Sequence, residues 1–185
     1  MDLPLRQDEL IRAAASANPN TVVVLNNGTP VTMANWVDQV PAVIEAWFPG
    51  QEGGTALAEI MFGDVNPSGK LTTTLAVARE DYPDYGNFPG TEGVVKYEEG
   101  IYVGYRHFDK KGIAPIFPFG HGLSYTTFEY SNLKQSRTTA GNFQVSIDVS
   151  NTGKWAGEEV VQLYVHDPKP KVDKPVRELK GFAKV

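Results

Sequence analysis

The side chains with most scope for chemistry in this sequence are its carboxylates and histidines, and their spacing decides what each can do. Glu52 lies in the turn Pro49-Gly50-Gln51-Glu52-Gly53-Gly54. A glycine-rich turn between a strand and a helix is where phosphate loops occur, but this one has neither a Gly-Lys-Ser/Thr ending nor G-x-G-x-x-G spacing. Glu52 would also put a carboxylate where a phosphate should bind. It sits instead at the positive end of the helix expected to follow. A general acid for glycosyl transfer needs a raised pKa, and a helix N-terminus favours the ionised form. Glu52 therefore reads as structural or orienting. Glu98 and Glu99 are adjacent, and a retaining glycosidase needs two carboxyl groups ~5–5.5 Å apart. Neighbouring strand residues point to opposite faces, so this pair cannot do that work alone. Glu99 is read as a loop anchor with Arg106 as its candidate partner, and is kept as a candidate for touching substrate.

His107, His121 and His166 are far apart, with no H-E-x-x-H among them, so no metal site and no cofactor is expected. His121, within Phe119-Gly120-His121-Gly122-Leu123, reads as a packed turn residue. There is no Gly-x-Ser-x-Gly elbow to support a serine hydrolase. The aromatics Tyr82, Tyr85, Phe88, Tyr97, Tyr102, Tyr105 and Phe108 crowd one segment. Such rings serve as stacking platforms for apolar sugar faces or as glue between domains. Tyr85 and Phe88 are the candidates for substrate contact.

These residues hang on two halves of different grammar. Leu5 to Ala17 carries strong helix formers and stops at Asn18-Pro19. Thr21 to Leu25 is a continuous β-branched run of the kind buried on both faces of a parallel sheet. Ala42 to Phe48 reads as a second buried strand, and Gly54 to Phe62 as a helix with Ala56, Leu57, Ile60 and Met61 inward. A turn cluster at Gly63 to Gly69 precedes a third strand at Lys70 to Leu75. That order is the grammar of an α/β layer protein, with fewer strands than the ~5–6 of a mean sheet. Residues 79–116, rich in Gly, Pro, Asp and Tyr, read as a long ordered loop. From Phe143 the alternation is strict, with Phe143, Val145, Ile147 and Val149 on one face. Asn151-Thr152-Gly153 turns the chain, and Glu158 to Val165 resumes with Val161, Leu163 and Val165 together. This is sandwich grammar, short of the ~7 strands of a complete immunoglobulin-like domain. The fold class is therefore α/β followed by all-β: a partial α/β sandwich layer joined to an incomplete immunoglobulin/fibronectin III-like β-sandwich. The divisions fall at 1–78, 79–127 and 128–185.

Composition narrows the partners. Net charge is -5, with 41% hydrophobic and 21% charged residues, normal for a globular chain. No Lys/Arg run has the density of a nucleic-acid footprint, and Lys169 to Lys174 reads as a solvated loop. No apolar stretch reaches the ~20 residues of a membrane span. There are no cysteines, hence no disulfides or thiolate metal sites. The first residues lack the pattern of a signal peptide, which leaves the location open. Asn27-Gly28-Thr29 offers a glycan acceptor and is also a good turn.

Several motifs in one order resemble glycoside hydrolase family 3, the β-glucosidase family. Asp2-Leu3-Pro4-Leu5-Arg6-Gln7-Asp8-Glu9-Leu10-Ile11 is similar to its L-x-L-P-x-x-Q-x-x-L-I segment, and Val22 to Leu25 with Gly28 and Pro30 to its V-V-V-L-x-x-G-x-P. Ala46 to Gly54, Phe62-Gly63-Asp64, Asn66 to Leu71 and Tyr97 to Arg106 follow in family order. So do Phe117 to Phe128, Asn151-Thr152-Gly153 and Arg177 to Phe182, the last two resembling the fibronectin type III-like domain. Thr72 departs from the family's usual proline, which should change only a local turn. The resemblance implies a C-terminal fragment of a retaining β-glycosidase, most often a β-glucosidase, acting on β-linked oligosaccharides or glucosides. Its nucleophilic aspartate belongs to an N-terminal (β/α)8 barrel, which would pack against residues 1–127. Its acid/base glutamate lies upstream of the L-x-L-P-x-x-Q segment. Both are expected before Met1, so no residue here is assigned as catalytic and the chain alone is expected to be inactive. Related β-xylosidases and N-acetylglucosaminidases share the family. The alternative reading is a free-standing, non-catalytic module that binds carbohydrate or protein.

Overall fold

A computed structural model describes residues 1–185. In the first half, helix α1 (Gln7–Ala17) leads into strand β1 (Val22–Leu25), which pairs in parallel with β2 (Ala42–Glu45), Val22 opposite Ala42 and Leu25 opposite Glu45. Helix α2 (Gly53–Phe62) follows and stops at Gly63, whose φ of 84° only glycine adopts freely. The core lies where β1 meets the segment after it: Val23, Leu25, Val31, Met33 and Trp36 are buried with Leu75. Asn27 Nδ2 donates to the Thr29 carbonyl at 2.8 Å, so the Asn-Gly-Thr segment closes a turn.

Three expectations need correction here. The β1–β2 pair is not buried on both faces, since Val22 and Ala42 are exposed. The apolar face of α2 is inward only in part: Leu57 and Ile60 are half-buried, while Ala56 and Met61 are exposed. Lys70 to Leu75 is an extended segment and forms no third strand of the sheet. It pairs with the Phe117 to His121 joint instead, through Leu75 N to Phe117 O (2.8 Å), Leu71 N to His121 O (2.8 Å) and Gly120 N to Leu71 O (2.7 Å). Pro118, with no N–H, sits between these bonds and keeps them from growing into a ladder.

The long loop also contains a helix that propensity does not announce, α3 (Tyr105–Lys111), closed by Gly112 at φ 66°. Beyond the joint, β3 (Phe128–Arg137) and β4 (Phe143–Asn151) form one antiparallel ribbon, and β5 (Val160–Val165) and β6 (Glu178–Lys184) another. A bulge at Asn132 (φ 52°) breaks the first register between Ser131 and Lys134. Lys180 is the extra residue in the second. On β4 only Ile147 and Val149 of the expected apolar face are even half-buried, and Val165 on β5 is exposed. Asn151 ties the joint to this half: its Oδ1 accepts Thr126 Oγ1 (2.7 Å) and Gly153 N (3.0 Å).

The accessible surface is 12876 Å² for 20.3 kDa. A compact monomer of that mass exposes about 8,800 Å². Phe48, Phe62, Leu10, Tyr97, Leu123 and Phe182 are among the apolar side chains left outside.

Candidate functional site

The aromatic segment is built from its anchor outward. Tyr82 reaches back to the core, its hydroxyl donating to Thr74 O (3.0 Å) and accepting from Ala76 N (3.1 Å). Burial pushes its phenol above the ordinary value, opposed by the bond from the Ala76 amide. Its ring meets Phe108 edge-on at 5.8 Å. Before it, a single 3-10 turn (Arg79–Asp81) forms because Asp81 accepts the Ala78 amide at 3.0 Å. This geometry throws Tyr85 and Phe88 outward, 51% and 66% exposed. Arg79 lies 6.0 Å from the Tyr85 ring centre. With Met1, Tyr82 and Asp84 these residues line an open cleft of about 180 Å³.

Of the three candidates, Tyr85 and Phe88 share that cleft and Glu99 does not line it. Arg106 is not the partner of Glu99. It stands on the first turn of α3 and pairs across to Glu178 of β6 at 3.6 Å. The stacking and glue readings of the aromatics divide by residue. Tyr105 packs on Phe119 (5.1 Å) and Tyr164 (5.8 Å) and accepts the Leu179 amide at 2.9 Å, so it joins the halves, while Tyr85, Phe88 and Tyr97 remain exposed. Arg79 and Asp84, which give the cleft its polar groups, were not singled out by the sequence reading. Their closeness in sequence to Tyr85 was the available signal.

Glu52 stands immediately before α2 and accepts Thr55 Oγ1 at 3.3 Å. A Cβ on Gly53 would lie 2.6 Å from Pro49 Cγ, which explains that glycine. His121 stacks on Phe117 at 5.0 Å, and burial, with Lys70 nearby, holds its imidazole below the ordinary value. It is the packed residue expected. Glu45, at the end of β2, accepts the Trp47 amide at 3.1 Å, and burial raises its carboxyl despite that bond.

The best-built polar region is the junction between the halves. Lys70 Nζ pairs with Glu159 at 3.0 Å, both side chains only 14% exposed, and donates to Gly122 O at 2.6 Å. Arg177 bonds both oxygens of Asp109, at 2.7 and 3.1 Å. Asn66 accepts Ser124 Oγ (2.9 Å) and Tyr125 N (2.8 Å) and donates to Ala156 O (2.9 Å). The halves are thus held as one body by groups far apart in sequence.

Comparison with known proteins agrees with this architecture. Residues 1–105 match the model of the glycosyl hydrolase family 3 C-terminal domain, and residues 159–185 that of a fibronectin type III-like domain. The chain is 52% identical, over all its length, to thermostable beta-glucosidase B of Acetivibrio thermocellus and to probable beta-glucosidase I of Aspergillus terreus. It spans 25% and 23% of those proteins. Among solved structures it superposes, again over its full length, on a Bifidobacterium adolescentis family 3 beta-glucosidase (TM-score 0.94, 45% identity). It also superposes on DesR, a beta-glucosidase from Streptomyces venezuelae solved with D-glucose (TM-score 0.92, 46% identity). It covers 27% and 24% of those two chains. The fold is therefore a family 3 C-terminal α/β layer followed by a fibronectin type III-like region, and the chain belongs to glycoside hydrolase family 3.

Proposed function

We propose that the chain serves as the C-terminal part of a retaining β-glycosidase, a β-glucosidase acting on β-linked gluco-oligosaccharides or aryl and alkyl glucosides, and that it has no hydrolytic activity alone. In such a reaction one carboxylate forms a covalent glycosyl–enzyme intermediate and a second group serves as acid and then base. The cleft of this chain offers one acidic lining residue, Asp84, where that mechanism needs a pair. The observation that carries the reading is full-length likeness to β-glucosidases four times longer, joined to the surplus surface of about 4,000 Å². A surplus of that size is on the scale of obligate interfaces. A (β/α)8 barrel packed on residues 1–127 is the partner we assign to it. The functional divisions we assign are 1–78, 79–127 and 128–185. Within the middle one, Tyr85 and Phe88 are proposed as the substrate-contacting rings, and Glu99 as a third, more distant contact.

The test is a graft. The segment of the Acetivibrio thermocellus beta-glucosidase B that this chain matches, 25% of its length, is replaced by this chain, and aryl β-glucoside hydrolysis is measured for the graft and for the chain alone. The graft should hydrolyse the substrate, with the chain alone at buffer background. A folded but inactive graft, or turnover by the isolated chain that survives repurification, would overturn the proposal.

A further inference from the structure

Three charged side chains of α3 fall on one face, Arg106 with Asp109 and Lys110 three and four residues on. Each meets an opposite charge in the segment that leads into β6, and the order of partners runs backwards along that segment. Arg106 pairs with Glu178 at 3.6 Å, Asp109 accepts two bonds from Arg177 at 2.7 and 3.1 Å, and Lys110 pairs with Asp173. The signs alternate on both sides, so a slipped register would set like charges together and only one fit is favourable. Among these pairs the Leu179 amide donates to the Tyr105 hydroxyl at 2.9 Å. The segment before β6 is itself closed by Lys174 on Asp167 at 3.0 Å.

α3 also carries the far end of the aromatic loop. Every backbone hydrogen bond of residues 83–104 is made within residues 82–108, so the loop hangs from Tyr82 at one end and from α3 at the other. Those two ends meet where Phe108, 3% exposed, stands edge-on to Tyr82 at 5.8 Å. Tyr85 and Phe88 follow Tyr82 by three and six residues. Gly104 (φ 53°) and Gly112 (φ 66°) bound the helix, and glycines leave the chain free to turn at both ends. The orientation of α3 therefore depends on what its side chains grip.

We propose that Asp173, Arg177 and Glu178 are positioning residues for the substrate cleft: by holding α3 they fix the loop on which Tyr85 and Phe88 stand, so the all-β half tunes substrate affinity without touching substrate. This rests on the reading of Tyr85 and Phe88 as substrate-contacting rings. Arg177 is the principal member, because a bidentate pair to a carboxylate is stronger and more directional than a single contact.

The first test uses the full chain at high dilution. Chymotryptic cleavage after Tyr97, located by mass spectrometry, reads opening of the loop. Arg177→Gln should speed it about fivefold, the equivalent of about 1 kcal/mol, with Arg177→Lys recovering part of the protection. Asp109→Arg combined with Arg177→Asp rebuilds the pair with its signs exchanged and should restore it. Asn66→Ala loosens the junction elsewhere, so it serves as the control for general destabilisation. Unchanged cleavage in Arg177→Gln, or an equal rise in Asn66→Ala, would overturn the proposal. The second test is kinetic, in the glucosidase graft described above. Arg177→Gln should raise KM several-fold with kcat within about twofold, and the charge exchange should bring KM back. An unmoved KM would also overturn the positioning role. Tyr85→Ala in the same graft then separates the two ideas: if it raises KM, the rings touch substrate and only the role of Arg177 has failed, whereas an unmoved KM there removes the ring assignment as well.

Discussion

Lys70→Met is the sharpest probe of how the two halves are held. Lys70 and Glu159 are 3.0 Å apart and 14% exposed each, so water screens them little. At an effective dielectric of 20 their attraction is about 5.5 kcal/mol, most of it offset by the cost of drying both charges. Removing lysine recovers neither part cleanly. Glu159 stays buried with only the Tyr130 hydroxyl to donate to it, at 2.9 Å, and Gly122 O loses its 2.6 Å bond. The expected loss of unfolding free energy is about 3–5 kcal/mol. Glu159→Leu should cost a similar amount. The double variant leaves no stranded charge and should lie near the parent, for apolar replacement of buried pairs is often neutral. Urea unfolding of all four proteins gives the coupling directly.

The same cycle carries an independent readout. Tyr130 is pushed up to about 12 by burial first and then by its bond to Glu159. A phenol raised in the fold contributes stability that is whole below its ordinary value near 10 and is lost as pH rises through about 12. Glu159→Leu removes the bond and the charge but leaves the burial, so it should lower the phenolate transition only part of the way from about 12 and make the stability profile shallower over that window. A cost below about 1 kcal/mol for Lys70→Met, the size of an exposed pair, would refute the reasoning. So would a double variant as weak as both singles combined.

Further outcomes follow from the same geometry. Glu45 is raised by burial, so its favourable contribution is present below the ordinary carboxylate value and disappears as pH rises through the folded value. Glu45→Gln keeps an acceptor for the Trp47 amide, and should raise the urea midpoint at pH 7 with a gain that vanishes in acid. Asn66→Ala removes three bonds that tie the first half to the joint and to Ala156. It should cost about 2–3 kcal/mol, read by urea unfolding, with recovery in Asn66→Asp of only the two accepted bonds. The isolated chain should associate as its concentration rises, because unpaired ribbon edges and apolar faces are open. A monodisperse monomer with a sharp cooperative melt would contradict this.

What could be read in advance followed from local chemistry. Asn18-Pro19 ends α1, the β-branched run is β1, and the Gly-rich turn starts α2 where its spacing said it would. Lys70 to Leu75, expected as a third strand because it follows the turn cluster Gly63 to Gly69, pairs elsewhere, and nothing local reveals that its partner carries Pro118. α3 has middling helix formers, and its signal lay in Gly104, Gly112 and the closing Lys110-Lys111 pair. Apolar spacing on α2 identified a face without saying what covers it. The Asn132 bulge left no signal at all. Tyr85 and Phe88 reach one cleft because they are three residues apart in one turn-rich segment, whereas Lys70–Glu159 and Asp109–Arg177 join positions no local pattern links.

The contrast between the junction and the outer faces decides how the molecule should be regarded. Where the halves meet, Lys70 pairs with Glu159, Arg177 with Asp109, and Tyr105 packs on Phe119 and Tyr164. Away from it, Phe48 and Phe62 around α2, Leu10 on α1 and Phe182 on β6 stand in water. A free-standing binding module would bury such faces and expose its recognition groups; this chain seals its internal joint and leaves apolar surface on both sides of it. Burying that surface against further protein is favourable at about 25 cal/mol per Å², and even a fraction of it would outweigh the few kcal/mol that hold a small domain. If, as proposed, a (β/α)8 barrel covers residues 1–127, the cleft of Tyr85 and Phe88 becomes one wall of a site whose other wall that barrel supplies.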